Sequence, residues 1–398
     1  MTKKHKIKIP AQIWILGFVS LFSDISSEMI YGLLPIYLTT VLGLSTSQLG
    51  LMEGLAEALS LMVKVFSGAI SDAFRNRKWL TTLGYGLAAL SKPFIPMANS
   101  FSMIFAARMV DRVAKGIRGA PRDALIAFHS PPEIRGASFG LRQSLDNVGG
   151  VVGPLIAVGL MIFLHFEIRT VMWISVIPIW FAVLLLIFAV REPEKNQPKL
   201  EKKFYFSEVK KLSRSFWIFQ ILIFVLMSAK FSDVFLILKA KEMGWAMAMI
   251  PMVMVLMNVI YAIFAYPLGS LSDRVGRYRL IMCGIFLFIV ADVNLAFAQN
   301  LSWFLVGISI WGLHLAFTQG VFSAVVVDLV PANLRGTSIG IFQFVSGAAL
   351  LCSSSAAGYL WEKSGSQPVF LASAILAGVA LILFLIFFPQ IENRANQT

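Results

Sequence analysis

The sequence predicts an all-α integral membrane protein with about twelve transmembrane helices in two six-helix bundles. Three observations carry this prediction. Hydrophobic residues make up 58% of the 398 residues and charged residues 14%, whereas soluble domains carry about 25% charged residues. Apolar runs near the roughly 20 residues that span a bilayer recur along the chain. Finally, short motifs of the first half reappear in the second half.

The apolar runs give twelve windows, six on each side of a polar stretch in the middle of the chain. They are residues 11–40, 47–74, 79–98, 101–128, 136–164, 170–190, 215–240, 246–271, 279–298, 301–328, 337–361 and 368–390. The polar stretch, REPEKNQPKLEKKFYFSEVKKLSR, reads as a cytoplasmic tether. We therefore expect an N-terminal bundle at 1–190, a linker at 191–214 and a C-terminal bundle at 215–398.

The placement of the basic residues predicts the orientation. The net charge is +13, and most of the excess lies in the N-terminal segment, the central linker and alternate loops. The opposite loops hold only Arg169, Lys239, Lys241 and Lys363. This is the positive-inside pattern, so we expect a multi-pass protein of the bacterial inner membrane with both termini in the cytoplasm. Its partners would be lipids rather than nucleic acid, and we expect a monomer.

The fourth window, Phe101–Phe128, is long enough to span the bilayer and yet carries seven charged residues. They are Arg108, Asp111, Arg112, Lys115, Arg118, Arg122 and Asp123, and their spacing places them within roughly a 140° sector of one helix face. One charge at mid-bilayer costs about 2.5–3.5 kcal/mol on the mildest insertion scale. This face must therefore look into protein or water, which indicates a polar space inside the molecule.

The chain contains an internal repeat. Six residues recur at an offset of 200, namely Pro131, Arg135, Gly136, Ser138, Gly140 and Gln143 as Pro331, Arg335, Gly336, Ser338, Gly340 and Gln343. Gly68-x-x-x-Asp72 recurs as Gly269-x-x-x-Asp273 at an offset of 201. We infer a tandem duplication of about six helices. An even number of spans per half gives both halves the same topology, so the repeat is parallel.

This layout resembles the major facilitator superfamily. GSLSDRVGR, from Gly269 to Arg277, matches the superfamily loop signature G-x-x-x-D-R-x-G-R, and GAISDAFRNRK keeps Gly68 and Asp72. The resemblance implies that the aspartates sit against helix N-termini of the opposite half, Asp273 near Gly136 and Asp72 near Gly336, when the inner gate is closed. It assigns gating to Gly68, Asp72, Gly269, Asp273, Arg274, Gly276 and Arg277.

A second motif is similar to the superfamily's antiporter signature, G-x8-G-x3-G-P-x2-G. Gly140, Gly149, Gly153 and Pro154 fit the spacing, and Ala157 replaces the final glycine. The resemblance implies gating by Gly149, Gly153 and Pro154 and favours export. The runs FSDISSEMIY and DRVAKGIRGAPRDALIA are similar to those of bacterial facilitators, some of which accompany siderophore traffic while others carry a drug-resistance label.

The candidate site residues are charged or polar groups on the first, second, fourth, fifth, seventh and tenth windows, and the resemblance implies that the first, fourth, seventh and tenth of these line a central cavity. Buried carboxyls suit proton coupling because desolvation favours their protonated form. We expect Glu28 or Asp24 to carry the proton, with Asp146 and Asp233 behind them and Arg112, which resembles the R-x-x-x-G motif of proton-coupled relatives, tuning a neighbouring carboxyl. The expected substrate residues are Tyr31, Glu57, Lys64, Lys115, Arg118, Arg122, Arg142, Lys230, His314 and Gln319.

Together these features predict a secondary active transporter that works by alternating access. Proton-coupled antiport, exporting an amphipathic or anionic solute, is the leading hypothesis. Alternatives are a proton-coupled importer of an anionic metabolite or carboxylate siderophore and, from another class, a non-transporting membrane sensor or interaction protein. No catalytic, cofactor or metal motif is recognised, so we expect neither an enzyme nor a metalloprotein. Cys283 and Cys352 are expected to be small buried residues.

Overall fold

The computed structural model describes residues 9–74, 76–131, 134–192, 212–331 and 334–395, with side chains left undescribed at 68–74, 270, 273–274 and 388–395. Within these ranges the regular structure is helical and contains no strand. Residues 193–211, most of the expected linker, lie outside the described residues.

The helices of the first half follow the predicted windows closely. They are α1 (Ala11–Tyr31), α2 (Leu34–Ile36) with a π-helical extension (Tyr37–Val41), α3 (Thr46–Phe74), α4 (Arg77–Ser91), α5 (Phe94–Met97), α6 (Phe101–His129), α7 (Arg135–Phe163), α8 (Ile168–Ile174) and α9 (Val176–Phe188). The first window is thus interrupted after Tyr31, where α1 ends two residues before α2 begins.

The helices of the second half repeat this arrangement. They are α10 (Arg214–Ala229), α11 (Val234–Glu242), a short 3-10 turn (Met247–Met249), α12 (Met252–Val275), α13 (Arg277–Phe297), α14 (Leu301–Asp328), α15 (Arg335–Ser364) and α16 (Ser366–Ala395). The seventh window is interrupted at Lys230–Asp233, where the sequence predicted a continuous helix with Lys230 and Asp233 on one face. That expectation is wrong at this point.

Nine segments of the described chain are long and apolar enough to cross a membrane. Three further predicted windows fall outside this group for visible reasons: α6 carries seven charges, α3 carries Glu53, Glu57 and Lys64, and α4 has only 15 residues before α5 continues it. The chain is therefore a multi-pass membrane protein, and the number twelve stays a prediction.

The contacts divide the chain into two compact units. Unit one comprises residues 1–30 and 63–203, and unit two comprises residues 31–62 and 204–398. The second part of the first window and the first part of α3 therefore belong with the helices of the second half. These boundaries differ from the sequence halves, and the predicted domain boundaries stay a prediction.

The core of unit one lies where α4 packs against α6 and α9. Buried residues of α1, α4, α6 and α9 meet there, among them Leu16, Tyr85, Leu125 and Leu186. Gly84 permits this approach, because a Cβ at that position would lie 2.9 Å from the backbone nitrogen of Arg118. The charged helix α6 is thus held in protein along its α4 side.

The core of unit two is aromatic. Helix α13 packs against α14 and α16, and α12 packs against α14. The fully buried indole of Trp311 lies between Phe231 and Phe288, with ring centroids 5.5 and 5.1 Å away. Phe231 also contacts Phe370 of α16 at 5.4 Å. Such ring pairs stabilise the interior beyond simple burial.

Helix caps repeat at the predicted offset. Ser100 caps α6 by accepting a hydrogen bond from the backbone N–H of Met103, and Asn300 caps α14 in the same way through Trp303. A side-chain oxygen at this position satisfies one of the unpaired N–H groups of the first turn. The offset between Ser100 and Asn300 is the offset of the sequence repeat.

The two cysteines are exposed on the helix surface, so the expectation that they are buried is wrong. Cys283 lies on α13 and Cys352 on α15, and both are free thiols. A thiol is apolar enough to face lipid as well as a core, and hydrophobicity alone could not distinguish these two environments.

Candidate functional site

The charged face of α6 is largely enclosed by protein. Arg108, Asp111, Arg112 and Arg118 are each at most 6% exposed, whereas Lys115 is exposed. Asp111 joins both neighbouring arginines through one oxygen, with Oδ2 3.7 Å from Nη1 of Arg108 and 3.4 Å from Nε of Arg112. The predicted tuning residue Arg112 is thus part of a buried ion group.

Lys92 is the group that the sequence analysis left without a role. Its ammonium, on a residue 1% exposed, donates hydrogen bonds to Ser26 Oγ at 2.7 Å and Ser27 Oγ at 3.0 Å. Ser26 in turn donates to the backbone carbonyl of Ser175 at 2.5 Å, and Asp111 acts electrostatically on Lys92. Lys92 thus links the end of α4 to α1 by hydrogen bonds and to α6 by electrostatic attraction. A lysine within an otherwise apolar window was the sequence feature that could have identified it as a functional residue.

Arg118 points toward α4. Its guanidinium carbon lies 4.3 Å from the centroid of the Tyr85 ring, in a cation–π contact. Such contacts contribute about 0.5–2 kcal/mol, the higher values applying to desolvated sites. The contact fixes Arg118 in the α4–α6 interface, so a role in substrate binding would require it to act from there.

The C-terminal part of α6 carries a chain of alternating charges. Arg122 Nη2 lies 3.2 Å from Asp123 Oδ1, and Arg142 Nη1 lies 4.0 Å from the same oxygen and 2.8 Å from Asp146 Oδ2. Arg122 also donates to Ser20 Oγ at 3.1 Å. These four charged side chains are 13–34% exposed, so they are enclosed but accessible.

The two acids of α1 lie against α7. A Cβ built on Gly149 would lie 2.9 Å from the Cβ of Asp24, and a Cβ on Gly153 would lie 3.0 Å from the Cβ of Glu28. Lys115, Asp24 and Arg112 act electrostatically on Glu28. The two predicted proton carriers and the two glycines of the antiporter-like motif therefore occupy one helix crossing, and the adjoining Pro154 is buried.

Lys64 completes the group in unit one. Its alkyl stem lies against Gly119, and Asp123, Arg122 and Arg142 act on it electrostatically. We call the resulting set the charge cluster, consisting of Asp24, Glu28, Lys64, Lys115, Arg122, Asp123, Arg142 and Asp146. With the adjoining Lys92, Arg108, Asp111, Arg112 and Arg118, unit one gathers eight basic and five acidic side chains.

Unit two contains the other predicted site residues at the interruption of the seventh window. The hydroxyl of Tyr31 lies 3.4 Å from Ser232 Oγ, so the ends of two interrupted helices, α1 and α10, adjoin the same point. Asp233 is the N-cap residue of α11, and Lys230 and Glu57 act on it electrostatically. The structure thus brings four predicted site residues into one region, namely Tyr31, Glu57, Lys230 and Asp233.

Serine hydroxyls hold the interruption in place. Ser353 Oγ donates to the carbonyl of Lys230 at 2.5 Å, and Ser354 Oγ accepts from the backbone N–H of Ser232 at 3.1 Å. Ser373 donates to the carbonyl of Ala229 at 2.8 Å. Backbone groups that a broken helix leaves unpaired must find partners away from lipid, and α15 and α16 supply them.

The tenth predicted span contributes differently from expectation. His314 is 3% exposed, its Nδ1 lies 2.9 Å from the carbonyl oxygen of Gly284, and its ring stacks on Phe288 at 4.6 Å. These contacts hold it in the α13–α14 interface. Gln319 is exposed, so the structure does not bring these two residues together.

The predicted gating residues are described only in part. The structure does not describe the side chains of Asp72, Asp273 and Arg274 or the surroundings of Gly68. Gly276 has φ +95° and separates α12 from α13, which explains the glycine of the signature, since other residues rarely adopt this conformation. Arg277 forms an ion pair with Asp328 at the end of α14. Within the described part of the chain, a Cβ built on Gly269 meets no atom from beyond its own helical turn within 4 Å.

Glycines bring α3 and α15 into backbone contact within unit two. A Cβ on Gly50 would lie 3.0 Å from the Cα of Gly358, and a Cβ on Gly358 would lie 3.1 Å from the Cα of Ser47. Thr46 Oγ1 donates to the carbonyl of Gly358 at 3.1 Å, and Ser47 N–H donates to Glu362 Oε2 at 3.2 Å. The motif analysis of the sequence did not identify this crossing.

Comparisons with known proteins agree with this architecture. The Major Facilitator Superfamily model matches residues 16–257 and 221–397. An uncharacterised MFS-type transporter of Methanocaldococcus jannaschii, MJ1317, is 31% identical over 386 residues, covering 95% of both chains. The multidrug resistance protein MdtH of Photorhabdus laumondii is 24% identical over 351 residues, covering 82% of this chain and 81% of that protein.

Solved structures show the same fold. The nucleoside transporter NupG superposes with a TM-score of 0.75 at 15% identity, covering 96% of this chain and 99% of that one. At this identity the likeness concerns the fold alone. Within the described residues, no group of three or more His, Cys, Asp or Glu side chains is arranged to hold a metal ion.

Proposed function

Because this chain belongs to the Major Facilitator Superfamily, we propose that it is a secondary active transporter that exports a small organic solute in exchange for protons. Members of the family are transporters rather than enzymes. The observation that carries the proposal is the charge cluster of unit one. It combines accessible cations with two acids at a helix crossing.

The proton carrier in this proposal is Glu28 or Asp24, with Asp146 and Asp233 as further acids. Glu28 fits the role best, because the exposed cation Lys115 acts on it while Gly153 packs closely against its Cβ. A carboxyl next to a cation changes the local charge when it binds a proton, and the cation then becomes available to an anion. Protonation of Glu28 would thereby favour binding of an anion at Lys115, so the two events would be coupled at one place, and this pair by itself suits symport, the second candidate below.

The solute is proposed to be anionic or to carry an anionic group. The charge cluster has four basic and four acidic side chains, and the adjoining Lys92, Arg108, Asp111, Arg112 and Arg118 add a net three positive charges. Lys64, Lys115, Arg122 and Arg142 belong to the accessible part of this set. Arginine forks suit carboxylates and phosphates because they donate two parallel hydrogen bonds. Tyr31, Glu57, Lys230 and Gln319, all of unit two, remain proposed contacts of the solute, and Arg118 and His314 would act from their buried interfaces.

Export is favoured by two observations. Gly149 and Gly153, the central glycines of the antiporter-like motif, lie against Asp24 and Glu28. In addition, the relative MdtH is named a multidrug resistance protein. Import of an anionic metabolite or a carboxylate siderophore by proton symport is the second candidate, since the same cations would serve it.

Alternating access requires contacts that form in one state and break in another. By the positive-inside pattern, the α3–α15 crossing at Gly50 and Gly358 lies toward the outer face of the inner membrane, with both termini in the cytoplasm. We propose that this crossing closes the outer side and that the Gly269–Arg277 motif serves the inner side. A monomer suffices for this scheme.

Reconstituted vesicles test the proposal. Antiport predicts that an inward proton gradient drives release of a preloaded organic anion from vesicles, whereas symport predicts uptake together with protons. Lys115→Gln should weaken binding of organic anions in a thermal-shift screen by at least about tenfold, or about 1.4 kcal/mol, while Lys363→Gln on the exposed end of α15 should not. Equal responses of both variants, or movement without any proton dependence, would contradict it.

A further inference from the structure

Asp292 is a buried acid to which neither the charge cluster nor the repeat assigns a role. It lies on α13, is 0% exposed, and contacts Ser373 of α16 through Oδ2. Its other oxygen, Oδ1, has no hydrogen-bond partner among the described residues. An ionised carboxylate in such a place would need a cation or several donors.

Among the described residues, no cation from the elements around α13 forms an ion pair with Asp292. Helix α14 contributes His314, which already contacts Gly284 and Phe288; the interruption contributes Lys230 and Asp233; and α12 contributes Tyr261 and Tyr266. The described side chains of α16, at 366–387, include no titratable group. Within the described part of the chain, none of these groups forms an ion pair with Asp292.

The hydrogen-bond donors around Ser373 can be counted. A serine hydroxyl has one proton, and in this structure Ser373 Oγ lies 2.8 Å from the carbonyl oxygen of Ala229 and also contacts Asp292 Oδ2. Ala229 ends α10, so its carbonyl has lost the helical donor that an unbroken helix would supply. If Ser373 donates to that carbonyl, the proton between Ser373 and Asp292 must come from the carboxyl.

We propose that Asp292 is a proton-binding site that holds its proton in this conformation and donates it in a chain from Asp292 to Ser373 to the carbonyl of Ala229. Loss of the proton would force Ser373 to turn its hydroxyl toward the carboxylate. The carbonyl that ends α10 would then lose its donor, next to Lys230 and Asp233. The protonation state of Asp292 and the hydrogen bonding at the interruption therefore change together.

Infrared difference spectroscopy of the purified protein tests this assignment. The spectrum of the unsubstituted protein minus that of Asp292→Asn should show a protonated-carboxyl C=O band at neutral pH. Ser373→Ala should shift this band to higher frequency, because the carboxyl loses its acceptor, whereas Ser373→Thr, which keeps a hydroxyl, should leave it in place.

The outcomes separate this proposal from the transport proposal. Absence of the difference band, or a carboxylate band in its place, would show that Asp292 is ionised and would overturn the assignment. If Ser373→Ala leaves the protonated-carboxyl band unchanged, the donor chain from Asp292 to Ser373 is overturned. This comparison is made with the unsubstituted protein, so it can be carried out even if Asp292→Asn proves too unstable to purify. Neither readout needs a substrate or movement across a membrane, so a failure of the transport assay leaves the result intact.

Discussion

Gly153 lies so close to Glu28 that a Cβ on the glycine would stand 3.0 Å from the Cβ of the glutamate and 2.7 Å from the carbonyl oxygen of Ile25. The helix crossing of α1 and α7 thus leaves room for hydrogen alone at this position. The antiporter-like motif and the acid proposed to carry the proton therefore meet at this contact. A substitution on either side of the contact tests the role of both.

Gly153→Ala should separate α1 from α7 and lower the free energy of unfolding by about 1–3 kcal/mol, the usual cost of overpacking. Thermal unfolding in detergent measures this loss. Gly140→Ala is the matched control from the same motif, because a Cβ at Gly140 meets no described atom from beyond its own helical turn within 4 Å. If both variants melt together, the crossing is looser than described.

Glu28→Gln should abolish proton-driven accumulation while leaving exchange of solute for solute, because glutamine keeps the size of the side chain and cannot release a proton. We expect the driven rate to fall by at least about tenfold, equivalent to about 1.4 kcal/mol. Vesicles with and without an imposed proton gradient distinguish the two activities. Glu167→Gln, at an exposed position before α8, is the control, and driven transport at the normal rate by Glu28→Gln would remove Glu28 from the coupling role.

Gly358→Leu should disfavour the state in which α3 and α15 touch, since a Cβ there would lie 3.1 Å from the Cα of Gly50. Each 1.4 kcal/mol of lost contact shifts the two populations about tenfold. Labelling of Ser47→Cys by an impermeant maleimide should therefore become faster.

The labelling experiment needs Cys283→Ser and Cys352→Ser in the background, because both native thiols are exposed. Gly378→Leu serves as control, as a Cβ at Gly378 meets nothing within 4 Å. Unchanged labelling in Gly358→Leu would mean that the crossing does not gate the outer side.

Ser353→Ala should destabilise the interruption of the seventh window by about 1–3 kcal/mol, because the carbonyl of Lys230 would be left buried without its donor at 2.5 Å. Ser228→Ala removes a hydroxyl whose hydrogen bond among the described residues lies within α10, to the carbonyl of Phe224 at 2.8 Å. That variant should melt close to the unsubstituted protein, and equal losses would argue against a special role for Ser353.

The fold was predictable because hydropathy and charge placement are strong signals in membrane proteins. The enclosure of the α6 face followed from the cost of exposing Arg108 and Asp111 to lipid, and the structure buries both. The interruption at Lys230–Asp233 was not predictable from helical spacing, since its hydrogen-bond partners lie more than a hundred residues away, at Ser353 and Ser373.

The sequence predicted which residues belong to the candidate site better than it predicted which of them contact one another. The Arg142–Asp146 contact at 2.8 Å follows from a spacing of four on a helix. The role of Lys92 depends on Ser26 and Ser27 of another helix, which no local pattern shows. Likewise, nothing in the spacing distinguishes Arg118, fixed over Tyr85, from the accessible Lys115.

The two pieces of the seventh span are each too short to cross a bilayer alone. Helices α10 and α11 have 16 and 9 residues, or about 24 and 14 Å of rise, against a hydrocarbon core of about 30 Å. Their junction therefore lies at membrane depth, where lipid cannot satisfy a peptide group. The three serines that hold this junction supply the hydrogen bonds that water supplies to a loop at the protein surface. They allow the chain to change direction between two helices without any glycine or proline at the junction.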